Sequence, residues 1–219
     1  MAESVDEKYF DELAQTIIDG EEEDCLRVIN EGLARGVDPL DAVEKGLAKG
    51  INKNGDDFAE EIVFLPELIM AADVMKAGMK ILDEKIKAGG KERKSLGKIV
   101  LGTIKGDIHD IGKSVVGAVL QANGFDVIDL GIDVDEDTYI QAVIENNADC
   151  LGMSTLLTLP LMTMGEVIEK MNEKGLRRTV KVIVGGCPVT QEFADEIGAD
   201  AVGFDAKDAV KKVKRLLDV

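Results

Sequence analysis

The chain has 219 residues, with 26 Lys and Arg against 43 Asp and Glu, a net charge of −17. A surface that acidic repels phosphate backbones, so no nucleic-acid partner is expected. No apolar run approaches the ~18 residues of a membrane span, and no membrane partner is expected either.

Hydrophobic residues make up 45% of the chain and aromatics only 4%, so its core is aliphatic, as in a parallel sheet covered by helices. The N-terminal MAESVDEKYFDEL is acidic and amphipathic and does not read as a signal peptide. Cys25, Cys150 and Cys187 form neither a zinc pattern nor a disulfide framework. Reduced thiols in a cytoplasmic protein are the expectation, with Cys187 a buried small hydrophobe.

Residues 1–88 read as a helical domain. Tyr9, Phe10, Leu13, Ile17 and Ile18 recur at helical spacing, then Cys25, Leu26, Ile29 and Leu33, stopping near Gly36. Asp38-Pro39 opens a third helix with Leu40, Val43 and Leu47 on its apolar face. A fourth, FLPELIMAADVMKAGMKILDEKI, carries Leu68, Ile69, Ala72, Met75, Met79 and Leu82. Four such helices imply an antiparallel bundle. GGKERKSLG, at 89–97, reads as an exposed linker.

From residue 98 to 219 the texture changes. KIVLGTI, DVIDLGI, ADCLGMST, VKVIVGG and ADAVGF are short β-rich runs. Helical stretches at about 111–123, 135–146, 160–174, 190–197 and 206–217 lie between and after them. The alternation predicts a Rossmann-like or flavodoxin-like α/β domain with five parallel strands, ordered 2-1-3-4-5 or 3-2-1-4-5.

In such sheets ligands bind beyond the carboxyl ends of the strands. The first strand runs into KGDIHDIGKS, the third into TLLTLP and the fourth into GGCPVT, so all three loops belong on one edge. The first holds the chain's single histidine, His109. His109 is either a ligand or base whose tautomer Asp107 fixes, or a solvated loop residue. One histidine cannot hold zinc, so a metal on it takes its other donors from a cofactor. Gly112 permits either close approach or tight packing. Ser154 either bonds an inserted polar group or forms a turn. Gly185-Gly186 either opens space or makes a turn. Each signal is weak alone; their meeting at three strand ends is not.

Asp107-x-His109-x-x-Gly112, Ser154-x-Leu156 and Gly185-Gly186 together resemble the cobalamin-binding signature of the base-off/His-on corrinoid proteins. FLPELIMAADVMKAGM resembles the cap helix of cobalamin-dependent methyltransferases, and the likeness extends over nearly the whole chain. It is strongest to the small corrinoid proteins of methylamine, methanol, glycine betaine and methoxy-aromatic methyltransferase systems. The cobalamin-binding module of methionine synthase is similar too.

The resemblance implies a bound cobalamin or related corrinoid, with His109 on the cobalt from below and Asp107 hydrogen-bonded to His109. The nucleotide tail would run past Ser154, Leu156, Thr158 and Gly185-Gly186, with Gly112 a further cofactor-binding position. Met70, Val74 and Met75 would be cap contacts over the upper face. The implied function is a shuttle. A substrate-specific methyltransferase places a methyl group on Co(I), giving methyl-Co(III) (methylcobalamin), and a tetrahydrofolate- or coenzyme M-dependent methyltransferase removes it. A reductive activase is a further implied partner.

Two departures stand out. Ser114 stands where the family often has Asn. Methionine synthase extends its His–Asp pair with a serine near where this chain has Leu159-Pro160, so no third relay member carries over. A cobalamin-dependent sensor and the small subunit of a mutase are the alternatives; no output module is visible for the first, and the helical half is unusual for the second.

Overall fold

The apolar positions of the first half fall on the inner faces of helices, as their spacing requires. The structure, a computed structural model, describes residues 5–89 and 95–219. The chain divides into two compact units, Met1–Lys94 and Ser95–Val219. In the first, α1 (Val5–Asp19) and α2 (Glu22–Ala34) bury Leu13, Ile17, Cys25 and Ile29 completely. The Asp38 carboxylate accepts a hydrogen bond from the Leu40 N–H at 3.0 Å, and Pro39 opens α3 (Pro39–Asp41), the start the sequence signals.

The helical path does not stop with Leu47. A π-helical stretch, Ala42–Leu47, leads without a break into α4 (Ala48–Ala59). Gly50, Gly55 and the polar Asn52 to Asn54 disfavour helix locally, so tertiary packing sustains it here. α1 comes so close that a Cβ on Gly50 would stand 2.5 Å from the Ala14 carbonyl oxygen.

The Gly50→Ala substitution therefore sets about 1 kcal/mol of helix propensity against roughly 1–3 kcal/mol of overpacking. The obstacle is backbone, which cannot rotate away, so a net loss is expected. A lowered denaturation midpoint of the helical circular-dichroism signal checks this; an unchanged midpoint would show that α1 yields. The bundle closes with α5 (Leu65–Ala88), which buries Leu68, Ala72, Met75, Met79 and Leu82 and half-buries Ile69.

The linker read at 89–97 falls largely on residues 90–94, outside the described residues. At its far end the Leu96 N–H donates to the Gly124 carbonyl, and the Gly97 carbonyl accepts from Asp126, both within the second unit.

That unit is a five-stranded parallel sheet of β1 (Lys98–Thr103), β2 (Asp126–Asp129), β3 (Cys150–Ser154), β4 (Lys181–Gly185) and β5 (Ala201–Gly203). The order is β2-β1-β3-β4-β5, the first of the two considered. Beyond Lys98, every residue of β1 is buried, as a central strand covered on both faces must be.

The crossover helices are α6 (Ile111–Ala122), α7 (Glu136–Asn146), α8 (Leu161–Glu173) and α9 (Gln191–Ile197), followed by α10 (Ala206–Leu216). α6 packs with α10, and α8 lies between α7 and α9, so the sheet is covered by two helical layers. Side chains of Asp135, Thr190 and Asp205 cap α7, α9 and α10. Thr103, Ser154, Gly185 and Gly203 are consecutive register partners across four strands. The carboxyl ends of these strands are thus level, and the three marked loops leave from one edge.

Candidate functional site

The loop after β1 is pinned before it reaches His109. Gly106 donates its N–H to the Asp133 carboxylate at 2.8 Å, and Asp133 returns its own N–H to the Asp107 carbonyl at 3.1 Å. Asp107 is fully buried. Its Oδ1 accepts from the His109 backbone N–H at 2.9 Å and lies 2.6 Å from His109 Nδ1. Its Oδ2 accepts from the Thr155 hydroxyl at 2.6 Å and the Leu156 N–H at 2.7 Å.

Burial alone would raise the Asp107 pKa. The hydrogen bonds from Thr155, His109 and Leu156 outweigh it and hold the carboxyl well below the usual carboxylate range. An ionised Asp107 is acceptor-only, so the proton of the pair sits on His109 Nδ1 and the lone pair on Nε2. The His109 side chain is 49% exposed. The arrangement presents one oriented imidazole nitrogen, which can ligate a metal or exchange a proton.

Thr155 is the member that sequence reasoning missed. The hydroxyl sought at Leu159-Pro160 is supplied earlier in the same loop, so the His–Asp pair does have a third partner. The available signal was the Ser154-Thr155 pair at the end of β3, where one of two neighbouring hydroxyls must turn inward. The Thr155 backbone N–H donates to the Gly185 carbonyl at 3.1 Å, and a Cβ on Gly186 (φ +117°) would stand 1.8 Å from the Thr155 carbonyl oxygen. A Cβ on Gly185 would stand 2.9 Å from the Gly203 carbonyl oxygen. The two glycines therefore answer first to close backbone crossings, where the sequence left open either cleared space or a tight turn. Gly112 differs: a Cβ there would meet no atom of the chain within 4 Å.

Ser154 is half-buried, and Leu156 and Thr158 are exposed beyond it on the same loop. Cys187 is exposed, contrary to expectation, because it follows Gly186 out of the sheet. In the first unit Val74 and Met75 lie within the bundle core, filling its interior, while Met70 is exposed together with Ile62 and Phe64.

Exposed large hydrophobics gather at the same edge of the second unit. Ile108 and Ile111 follow β1, Ile132 follows β2, Leu156, Leu157, Leu159 and Met162 follow β3, and Phe204 follows β5. Among the described residues of that unit, Ile144 and Val219 alone lie elsewhere. So much apolar surface around one polar loop marks a binding face.

This fold, with an oriented histidine at a glycine-marked edge inside an apolar rim, defines a B12-binding protein. Comparison agrees: one B12 binding domain model matches residues 97–214 and a second matches 9–83. A corrinoid protein of Desulfitobacterium hafniense strain Y51 is 45% identical over 94% of this chain and 96% of its own length. Dimethylamine corrinoid protein 1 of Methanosarcina mazei is 44% identical over 96% and 97%. The methanol:cobalamin methyltransferase complex MtaBC of Methanosarcina barkeri superposes with a TM-score of 0.85 at 30% identity, covering 96% of this chain and 80% of that one. The chain belongs to the corrinoid protein family of B12-binding proteins.

Proposed function

We propose that this protein carries a methyl group on a corrinoid, receiving it from a substrate-specific methyltransferase and passing it to a second one. The observation that carries this reading is the Thr155–Asp107–His109 chain ending in a free-facing Nε2 on a half-exposed ring. The similarity to a methylamine corrinoid protein and to a methanol:cobalamin methyltransferase complex supports the methyl chemistry.

His109 would hold the cobalt through Nε2, with Asp107 and Thr155 orienting the ring. The unfilled space at Gly112 lies in the first turn of α6 and suits a group that is not part of the chain. Ser154, Leu156, Thr158, Gly185 and Gly186 border the same edge and would take the nucleotide tail. The division into a helical domain 1–88, a linker 89–97 and a corrinoid domain 98–219 is supported by where the two matched regions end and begin.

When bound, the corrinoid supplies a cobalt nucleophile and a labile carbon–cobalt bond; the protein supplies position and protons. Asp107 accepts from Nδ1 and so directs the lone pair of the neutral ring to Nε2. Thr155 bonds Asp107 and also lies 3.2 Å from the Leu157 carbonyl, so its hydroxyl has a second acceptor towards the exposed loop.

The acceptor-side partner is a tetrahydrofolate- or coenzyme M-dependent methyltransferase, and a reductive activase is a further partner. Cytoplasmic location fits three free cysteines, and no described helix is long and apolar enough to cross a membrane.

The test is titration of the full chain with hydroxocobalamin, then desalting and a visible spectrum. Stoichiometric retention supports the reading, and a folded protein that retains none removes it. The His109→Ala variant is expected to bind about tenfold more weakly and to lose the nitrogen splitting of the Co(II) EPR signal. Unchanged splitting would take His109 off the cobalt.

A further inference from the structure

Buried polar side chains are costly without partners, so the few that a core contains point to its purpose. In the second unit, those among the described residues are Thr103, Asp107, Lys113 and Thr155. Asp107 and Thr155 hold the imidazole from one side. Lys113, in the first turn of α6, pairs with Asp129 at the end of β2. Thr103 is the one whose role the binding motif does not explain.

Thr103 ends β1 and is fully buried. Valine would fill the same volume, and a central strand favours it. The hydroxyl donates to the His109 carbonyl oxygen at 3.0 Å. Thr103 is itself fixed: its N–H donates to the Gly131 carbonyl at 2.9 Å, and its carbonyl accepts from Val134 at 3.0 Å. The donor is thus anchored in the sheet and the acceptor is in the loop.

His109 is consequently held at three atoms. Asp107 fixes its N–H and Nδ1, and Thr103 fixes its carbonyl. The first two bonds share one carboxylate and allow the residue to pivot about it. The third is contributed from a different element and removes that pivot, which sets where Nε2 points.

We propose that Thr103 is a positioning residue for the axial ligand, acting through the His109 carbonyl; this rests on the reading of His109 as the ligand of cobalt. The test uses the full chain as wild type, Thr103→Val and Thr103→Ser, loaded with hydroxocobalamin and reduced to Co(II). The ratio of nitrogen-ligated to unligated cobalt is read from the splitting at one fixed pH. Loss of one hydrogen bond is expected to lower that ratio about fivefold in Thr103→Val. Thr103→Ser keeps the donor and the wild-type ratio.

A Thr103→Val ratio equal to wild type overturns the proposal, as does an equal fall in Thr103→Ser, which would assign the effect to packing. If circular dichroism shows Thr103→Val unfolded, Thr103→Ala carries the same readout with the same two outcomes. A wild type without nitrogen splitting overturns the His109 reading and this proposal together. Splitting in the wild type with unmoved variants overturns the proposal alone.

Discussion

The Gly186→Ala substitution is expected to lower stability by roughly 3 kcal/mol and to disturb corrinoid ligation, although residue 186 touches neither His109 nor Asp107. Its backbone lies at φ +117°, a conformation open to glycine, and a Cβ would stand 1.8 Å from the Thr155 carbonyl oxygen. That contact is with backbone, so relief requires the β3 loop or the β4 loop to move. Moving the β3 loop carries off the Thr155 hydroxyl and the Leu156 N–H, both bonds to Asp107 Oδ2. Asp107 then holds His109 with half of its own support gone. Thermal unfolding measures the first effect, and the Co(II) nitrogen splitting of the loaded variant measures the second. A variant destabilised but spectroscopically normal would show that the β4 loop alone absorbs the clash.

The strands and crossover helices of the second unit were legible because two periods alternate cleanly there. From Ile99 to Gly102 the first strand has no polar interruption, as a central strand requires, and the acidic and glycine-bearing connections mark each turn. The order 2-1-3-4-5 was not legible, since an all-buried strand does not say which neighbour it takes. In the bundle, α4 escaped notice because Gly50 and Gly55 weaken the local helix signal. Gly50 sits where α1 crosses closest, which is a tertiary reason for a locally poor residue.

At the candidate site, the histidine and its carboxylate partner were legible and the residues that hold them in place were not. His109 and Asp107 could be found because a lone histidine beside a carboxylate is conspicuous. Thr155 and Thr103 are ordinary strand-end residues in sequence, and burial alone distinguishes them. Gly185 and Gly186 were visible as glycines, but the backbone crossings that require them lie between elements far apart in the chain. Cys187 looked like a core residue beside an apolar strand, and the turn at Gly186 places it outside.

Substitution at Asp107 bears on both ligation and folding. Each carboxylate oxygen of Asp107 faces donors: the His109 N–H and Nδ1–H on one side, the Thr155 hydroxyl and Leu156 N–H on the other. The Asp107→Asn variant has one carbonyl oxygen to offer, so its amide must turn an N–H group towards donors on one side. Turned to His109, it favours the tautomer with the proton on Nε2, which cannot ligate; turned to Thr155, it leaves the Leu156 N–H buried without an acceptor. The expected cost is roughly 2–3 kcal/mol of stability and 10–100-fold in axial ligation.

The stability term carries a pH signature. The Asp107 pKa is depressed in the folded chain, so its contribution is fully present above the unfolded carboxylate value of about 4 and is lost as pH falls through the folded value below it. The carboxylate's own part of the wild-type advantage over Asp107→Asn is therefore fully present above about pH 5 and shrinks steadily at more acid pH. Denaturant titrations of both proteins between neutral pH and the acid limit of folding measure that difference. A gap that does not narrow in acid would mean the carboxylate gains nothing from its four donors, and the orientation of His109 would then need another cause.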